Sequence, residues 1–246
     1  AASDVYKRQL FSLYIIRESG SSASGIKQNG SREQNLKLKK RIMKKFLMTA
    51  VLGMFALAGF SQVKWDVKFG MNFSNATKTK DVIGDTKALP GFNLGVGMDY
   101  GFSENWSLQS GLMISSKGYK IKEQGEKFTC RPIYLDIPIL AAYKFNISDN
   151  TKFVINAGPY LAIGLGGKSK EHWDGGEDWK VFDKEGDDWN RFDLGIQYGV
   201  GLEIGEHYLV NLTGQNGFIT PYDFPDGYDG DKPKNMTFSI GVGYRF

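Results

Sequence analysis

The sequence predicts an all-β protein, an eight-stranded antiparallel transmembrane β-barrel of the OmpA/OmpX-like kind with short periplasmic turns and long extracellular loops. Three observations predict it. From Gln62 onward, apolar and polar residues alternate in eight successive segments, which is the pattern of strands with two different faces. Short and long polar connections alternate between these segments. No run of eighteen apolar residues follows the N-terminal region, so only strands can cross a membrane.

The first four segments place apolar residues at every second position. In residues 63–74 the odd positions from Val63 to Phe73 are apolar, and the even positions from Lys64 to Ser74 are polar or glycine. Residues 92–102 repeat the pattern with a glycine-rich opposite face, and residues 133–145 repeat it with Asp136 and Lys144 opposite. Residues 106–115 follow it with the exception of Met113. Each segment has the length that a tilted spanning strand needs.

The last four segments continue the alternation. Residues 153–165 and 192–204 are regular, with polar residues such as Asn156 and Gln197 on the opposite face. Residues 208–218 are weaker, because apolar residues stop at Leu212 and resume only at Phe218. Residues 236–246 end the chain with apolar residues at even positions. Eight is an even number of strands, as bacterial outer-membrane barrels require, and no helical period competes.

The connections support a membrane barrel. Three are short, at residues 103–105, 146–151 and 205–207. Four are long and polar, at residues 75–90, 117–131, 167–191 and 220–235. In outer-membrane barrels the short turns are periplasmic and the long loops are extracellular, so we expect both termini on the periplasmic side.

The aromatic residues indicate which face meets lipid. Where strands reach the short turns, the apolar face carries a first group of aromatic side chains: Trp65, Tyr100, Phe102, Trp106, Tyr143, Phe145, Phe153, Tyr208, Tyr244 and Phe246. A second group lies near the long loops: Phe73, Phe92, Phe192, Phe218 and Phe238. Aromatic girdles mark the two membrane interfaces of such barrels. We therefore predict that the apolar face points outward, unlike that of a soluble lipocalin-like barrel.

The opposite face predicts a closed lumen. It holds six basic and five acidic residues: Lys64, Lys68, Lys117, Lys144, Lys152, Arg245, Asp66, Asp99, Asp136, Asp193 and Glu203. An eight-stranded barrel is only wide enough for side chains to fill, and buried charges need partners. We expect a salt-bridged interior with no open pore.

The N-terminal residues predict export. Met43, Lys44 and Lys45 precede an apolar stretch, and Gly59-Phe60-Ser61 fits a cleavage site before Gln62, so residues 43–61 are interpreted as a Sec-type signal peptide. Residues 1–42 are interpreted as a gene-model artefact or a disordered leader, and residues 62–246 as the barrel. Eleven of the 31 basic and three of the 27 acidic residues precede Gln62, so the formal charge of +4 becomes −4 in the barrel part. This excludes basicity as evidence for nucleic-acid binding, and we expect a location in the bacterial outer membrane.

Several segments resemble a known family. They are Tyr134-Leu135-Asp136-Ile137-Pro138, Ala157-Gly158-Pro159-Tyr160-Leu161, Phe192-Asp193-Leu194-Gly195 and Gly241-Val242-Gly243-Tyr244-Arg245-Phe246. Together they are similar to the PorT-type outer-membrane β-barrel domain of Bacteroidota. The resemblance implies an eight-stranded outer-membrane barrel, and its founding member is linked to secretion across the outer membrane. The penultimate strand departs from the family pattern at Thr213-Gly214-Gln215-Asn216-Gly217-Phe218, which argues against transferring the founder's role.

The long loops carry the candidate binding residues. The third is rich in acids and tryptophan, and its candidates for a surface-binding site are Trp173, Trp179, Trp189, Asp174 and Asp178. The alternative is that these loops are simply solvated. Of the two histidines, His207 fits a solvated turn, whereas His172 near Asp174 is a candidate catalytic residue without a serine in any recognised motif. The single cysteine, Cys130, excludes an internal disulfide.

The function that these features favour is a non-enzymatic envelope barrel, structural or surface-binding through its loops. The alternatives are a small barrel enzyme acting on lipid or peptide, and an accessory component of a secretion system. We expect no catalytic, cofactor or metal site. The expected partners are outer-membrane lipid and lipopolysaccharide, the barrel-assembly machinery through the strand ending at Phe246, and an unidentified extracellular or envelope partner.

Overall fold

The computed structural model describes Lys45 and residues 63–77, 85–123, 126–172, 178–182, 190–221 and 231–246. The chain divides into two units, residues 1–63 and 64–246. In the first unit, only Lys45 and Val63 are described. The leader predicted over residues 1–42 lies outside the described residues, and so does the signal peptide predicted over residues 43–61, apart from Lys45. The second unit, with Val63 at the start of its first strand, contains all the strands described.

Within the described residues, eight long strands build the fold. They are β1 (Val63–Thr77), β3 (Leu89–Gly101), β4 (Trp106–Ser116), β6 (Glu126–Ser148), β7 (Thr151–His172), β9 (Phe192–Ile204), β10 (Tyr208–Gly217) and β11 (Lys234–Arg245). Three short strands accompany them: β2 (Thr86–Lys87), β5 (Tyr119–Glu123) and β8 (Asp178–Lys180). Within the described part of the chain, no helix is both long and apolar enough to cross a membrane.

The long strands form a closed antiparallel ring. Their order is β6-β4-β3-β1-β11-β10-β9-β7, and β7 pairs back with β6. The first and last strands meet from Asp66 opposite Arg245 to Thr77 opposite Lys234. The β6–β7 pairing closes the ring from Lys127 opposite His172 to Ser148 opposite Thr151, with register shifts after Ile133 and Asn146. The predicted eight-stranded antiparallel barrel is confirmed.

Side-chain exposure confirms the predicted orientation of the two faces. On β1 and β11 the apolar residues face outward, with Phe69 55% and Phe238 48% exposed, while Asp66 and Arg245 are buried. All five aromatics of the second group are exposed. At the short-turn end the aromatics contact one another, with ring centroids 5.0 Å apart for Trp106 and Tyr143. An apolar exterior around a polar interior is the inverse of a soluble protein and suits lipid.

Three of the predicted long loops contain short strands. Residues 75–90 contain β2, residues 117–131 contain β5 and the start of β6, and residues 167–191 contain the end of β7 and β8. The sequence reading missed them because its signal was an apolar outward face. That face carries cations in this region, such as Arg131 and Lys168, so the alternation of hydrophobicity stops while the hydrogen-bonded pairing continues.

The short strands extend the wall beyond the ring. Strand β5 pairs with the start of β6, β2 pairs with β5, and β8 pairs with the end of β7. The resulting order β2-β5-β6-β7-β8 is a five-stranded sheet at the long-connection end, which we call the outer sheet. Gly118 separates β4 from β5 with φ +119°, a conformation that glycine adopts readily. A Cβ at Gly118 would also lie 2.0 Å from the Cys130 carbonyl oxygen.

Candidate functional site: the lumen and its outer end

The inner half of the lumen, near the short turns, holds a network of four charges from four strands. Arg245 on β11 donates to both carboxylate oxygens of Glu203 on β9, at 2.8 and 2.9 Å. Lys144 on β6 lies 2.6 Å from Asp99 Oδ2 on β3 and 3.0 Å from Glu203 Oε1. Arg245 also reaches Asp99 at 3.3 Å. The two positive and two negative charges balance, as burial requires.

A second ion pair and an amide extend this inner network. Lys68 lies 3.2 Å from Asp66, its neighbour on the inward face of β1. Gln109 donates to Asp99 Oδ2 at 3.0 Å and accepts from Asn156 at 2.9 Å. The Lys68–Asp66 pair lies within β1, whereas the connected network links β3, β4, β6, β7, β9 and β11 across the interior.

The middle of the lumen is lined by neutral polar groups. Asn72 receives hydrogen bonds from Asn93 at 2.5 Å and Ser239 at 2.7 Å, and it donates to the Ser116 carbonyl at 3.2 Å. Gln215 donates to Gln197 at 2.9 Å on the opposite wall. A cavity of about 100 Å³ lies among these side chains. Its size and its polar lining groups suit water molecules.

The outer half of the lumen holds a buried cluster around one lysine. Lys117, 1% exposed at its side chain, lies 2.9 Å from Asp136 Oδ1, and Ser115 donates to the other oxygen of Asp136. The Lys117 ammonium also sits 4.5 Å from the ring centroid of Tyr160. Tyr160 in turn donates to Asp193 at 3.0 Å. Two carboxylates and one ammonium therefore share this level with aromatic rings.

An aromatic side chain from the third connection closes the outer end. Phe182, directly after β8, is buried and packs edge-on against Tyr134 with ring centroids 5.7 Å apart. It occupies the space over Gly164, where a Cβ would lie 2.4 Å from the ring. Arg191 holds it in place, with its guanidinium 5.2 Å from the ring and a hydrogen bond to the Phe182 carbonyl. Phe182 adopts φ +69°, which is uncommon outside glycine.

The predicted lumen charges are confirmed in nine of eleven positions. Lys64 and Lys152 are the exceptions: both are exposed at the strand ends near the short turns. Both lysines alternate with apolar residues along their strands, as predicted. The barrel wall ends at their level, so their side chains are exposed to water. The four remaining basic residues and the five acidic residues lie in the interior.

The structure places only part of the predicted surface-binding loop. Trp173, Asp174 and Trp189 lie outside the described residues. Asp178 and Trp179 belong to β8, opposite Lys170 and Ser169 of β7. His172 ends β7 opposite Lys127. His207 lies in the β9–β10 turn, stacked on Tyr244 with ring centroids 5.3 Å apart and with Nδ1 2.8 Å from the Arg245 carbonyl oxygen.

The described residues contain no group of three or more His, Cys, Asp or Glu side chains arranged to hold a metal ion. The lumen residues that sequence reasoning did not single out are the amide Asn72, which it placed only on the inward face, and the cap Phe182. Asn72 carried a usable signal, since it is the polar residue on the inward face midway along the first strand. Phe182 carried none, because it reaches the lumen from a connection without periodicity.

The chain matches a family model described as outer membrane protein beta-barrel domain over residues 31–220, well over half of its 246 residues. No curated protein matches the chain significantly. The match is to the general barrel family, so the narrower PorT-type resemblance stays a prediction.

Several solved structures are similar. Ail, the attachment invasion locus protein of Yersinia pestis, in complex with the heparin analogue sucrose octasulfate, is 18% identical, with a TM-score of 0.38 over 75% of this chain and 99% of Ail. Neisserial surface protein A is 16% identical, with a TM-score of 0.43 over 74% and 97% of the two chains. The outer membrane enzyme PagL is 13% identical, with a TM-score of 0.35 over 72% and 97%.

Proposed function

Because the chain belongs to the outer membrane protein beta-barrel domain family, we propose that this outer-membrane barrel is a non-enzymatic protein with a structural, non-conducting wall and a binding surface at its outer end. Export through the Sec pathway by residues 43–61 is part of the proposal. The observation that supports it is the filled lumen: the inner network, the Lys117 cluster and Phe182 occupy successive levels of the interior. A barrel filled in this way presents only its lipid face and its two ends to partners.

The outer end is the better candidate for partner binding. The short turns at residues 102–105, 149–150 and 205–207 offer little surface, whereas the outer sheet extends past the ring and the connections at that end are longer in sequence. The third connection supplies three tryptophans, Trp173, Trp179 and Trp189, beside the carboxylates Asp174 and Asp178. Aromatic residues contribute much of the contact energy in protein interfaces. The partner is accordingly an extracellular or envelope molecule.

A conductance measurement tests the proposal that the barrel does not pass ions. Full-length protein is expressed with its own N-terminal region, recovered from outer membranes and inserted into planar bilayers. We expect no steady ionic current at neutral pH, and a heat-modifiable shift in gel mobility that reports the folded barrel. A stable current through protein that shows the gel shift would overturn the closed-wall part of the proposal.

Capture from native outer membranes tests the binding surface. The triple variant W173A/W179A/W189A is compared with the matched short-turn variant E104Q, whose position is exposed at the opposite end. We expect the unmodified protein and E104Q to retain one envelope partner that the triple variant loses. Equal retention by all three folded proteins would contradict a loop-borne site. A change in lipid structure or peptide cleavage that His172→Ala abolishes would contradict the non-enzymatic assignment.

A further inference from the structure

The outward face of the outer sheet carries cations directly opposite one another. Arg131 on β6 pairs with Lys168 on β7, and Lys168 pairs with Lys180 on β8. At the other edge of the sheet, on the same face, Lys87 on β2 lies opposite Lys120 on β5. Directly opposite residues on neighbouring strands have Cβ atoms only about 5 Å apart, so like charges there are destabilising. We call these five residues the cation face.

The register places the cation face on the lipid-facing side of the wall. Arg131 alternates with buried Pro132 and lies on the same side as Ile133 and Leu135, which belong to the outward apolar face. Lys168 and Lys180 share that side through their pairing with Arg131. The apolar exterior of β7 ends at Leu165, which is 52% exposed. The cations therefore begin within a few residues of the level at which the hydrocarbon contact stops.

The protein itself supplies few anionic groups that could neutralise the cation face. Among the described residues, no ion pair involves Arg131, Lys168 or Lys180, and the side chains of both lysines are exposed. Asp178 lies opposite Lys170, one level farther out. Thr129 on β6 lies opposite Lys120 on β5 and opposite Lys170 on β7. The Thr129 side chain is buried, and its Oγ1 atom has no hydrogen-bond partner.

We propose that the cation face binds the phosphate groups of an anionic lipid of the outer leaflet. Repulsion between the opposed cations is relieved when a phosphate lies between them, and Arg131 can hold phosphate oxygens with two parallel N–H groups. The position just beyond the apolar band is where the phosphates of a phosphorylated glycolipid lie when its acyl chains contact the barrel wall. The inference needs only the membrane-inserted barrel, so it stands or falls independently of partner binding by the third connection.

Lipid A titration tests this proposal with a matched pair of variants. Purified full-length protein in detergent is titrated with lipid A carrying two phosphates, and with the same lipid after removal of both phosphates, while binding is followed by the rise in the thermal unfolding midpoint. K168Q/K180Q removes two exposed cations at the outer sheet, and K64Q/K152Q removes two exposed lysines at the opposite end. K168R/K180R keeps the charge.

Each cation near a lipid phosphate contributes about fivefold in affinity, so we expect K168Q/K180Q to bind phosphorylated lipid A roughly twenty-five-fold more weakly. K64Q/K152Q and K168R/K180R should bind like the unmodified protein, and dephosphorylated lipid A should bind weakly to all. Unchanged affinity in K168Q/K180Q, an equal loss in K64Q/K152Q, or tight binding of the dephosphorylated lipid would each overturn the proposal. If K168Q/K180Q does not fold, the unmodified protein is titrated at increasing salt concentration. Its affinity for phosphorylated lipid A must then fall as the salt concentration rises.

Discussion

Arg245 and Glu203 form a two-pronged ion pair across the barrel interior, joining β11 to β9 past the intervening strand β10. Because Arg245 also contacts Asp99 on β3, one guanidinium connects three strands that are not neighbours. Backbone pairing holds adjacent strands together, whereas this contact fixes the ring across its diameter. The pair thus contributes to the barrel in a way that no strand ladder can.

Removing the guanidinium should destabilise the barrel strongly. In Arg245→Met, Glu203 and Asp99 keep only Lys144 as a cationic partner, and a buried carboxylate left without compensation costs about 3–5 kcal/mol. We expect the urea midpoint in lipid vesicles to fall accordingly. The control is Lys64→Met, which removes an exposed cation near the same end. A loss below about 1 kcal/mol in Arg245→Met would show that the interior is hydrated enough to screen the pair.

The Lys117 cluster should show strong coupling between its two charges. Lys117→Met leaves Asp136 buried with Ser115 and a long contact to Gln215 as its remaining partners. We expect this variant to lose about 3 kcal/mol of unfolding free energy, and the double variant K117M/D136N to recover most of it, because the uncompensated charge is then absent. Vesicle-based unfolding of the two single variants and the double variant gives the coupling. Additive effects would contradict a direct ion pair.

Strand bounds show how far the sequence determined the fold. Residues 192–204 were predicted with the bounds that β9 has, because the alternation begins and ends there at polar connections. Strands β6 and β7 are 23 and 22 residues long and exceed their predicted bounds. The prediction detected only the part that contacts lipid, since Arg131 and Lys168 replace apolar residues beyond it. Pairing between strands is a long-range property that hydrophobic alternation does not encode.

The sequence predicts which charged residues lie in the lumen, but it does not predict which of them contact one another. Inward alternation identified Asp99, Glu203 and Arg245 as interior charges. Which cation meets which carboxylate depends on the shift of register between strands around the ring, and the sequence pattern carries no record of that shift. Phe182 was unpredictable for a different reason: its connection has no periodicity, and its place is defined by the space that Gly164 leaves on β7.

The buried cysteine tests the outer sheet. Cys130 is 0% exposed, opposite buried Tyr119 on β5 and buried Ser169 on β7. We expect a maleimide reagent to label folded protein at least a hundredfold more slowly than urea-unfolded protein, since reaction requires local opening of the sheet by about 3 kcal/mol or more. The control is Lys168→Cys in a Cys130→Ser background, where the thiol stands at an exposed position. Rapid labelling of Cys130 in the folded barrel would contradict the pairing of β5 with β6.

Gly164 and Phe182 provide the sharpest test of the capped lumen. A methyl group at Gly164 would overlap the Phe182 ring, so Gly164→Ala should lower the unfolding free energy by about 1–3 kcal/mol through overpacking. In a Phe182→Gly background the ring is absent and glycine accepts the positive φ, so the same Gly164→Ala change should cost less than about 0.5 kcal/mol. The measurement is a double-mutant cycle by urea unfolding in vesicles. Gly166→Ala serves as the control, because a Cβ there meets nothing within 4 Å. Equal costs of Gly164→Ala in both backgrounds would place the Phe182 ring outside the lumen.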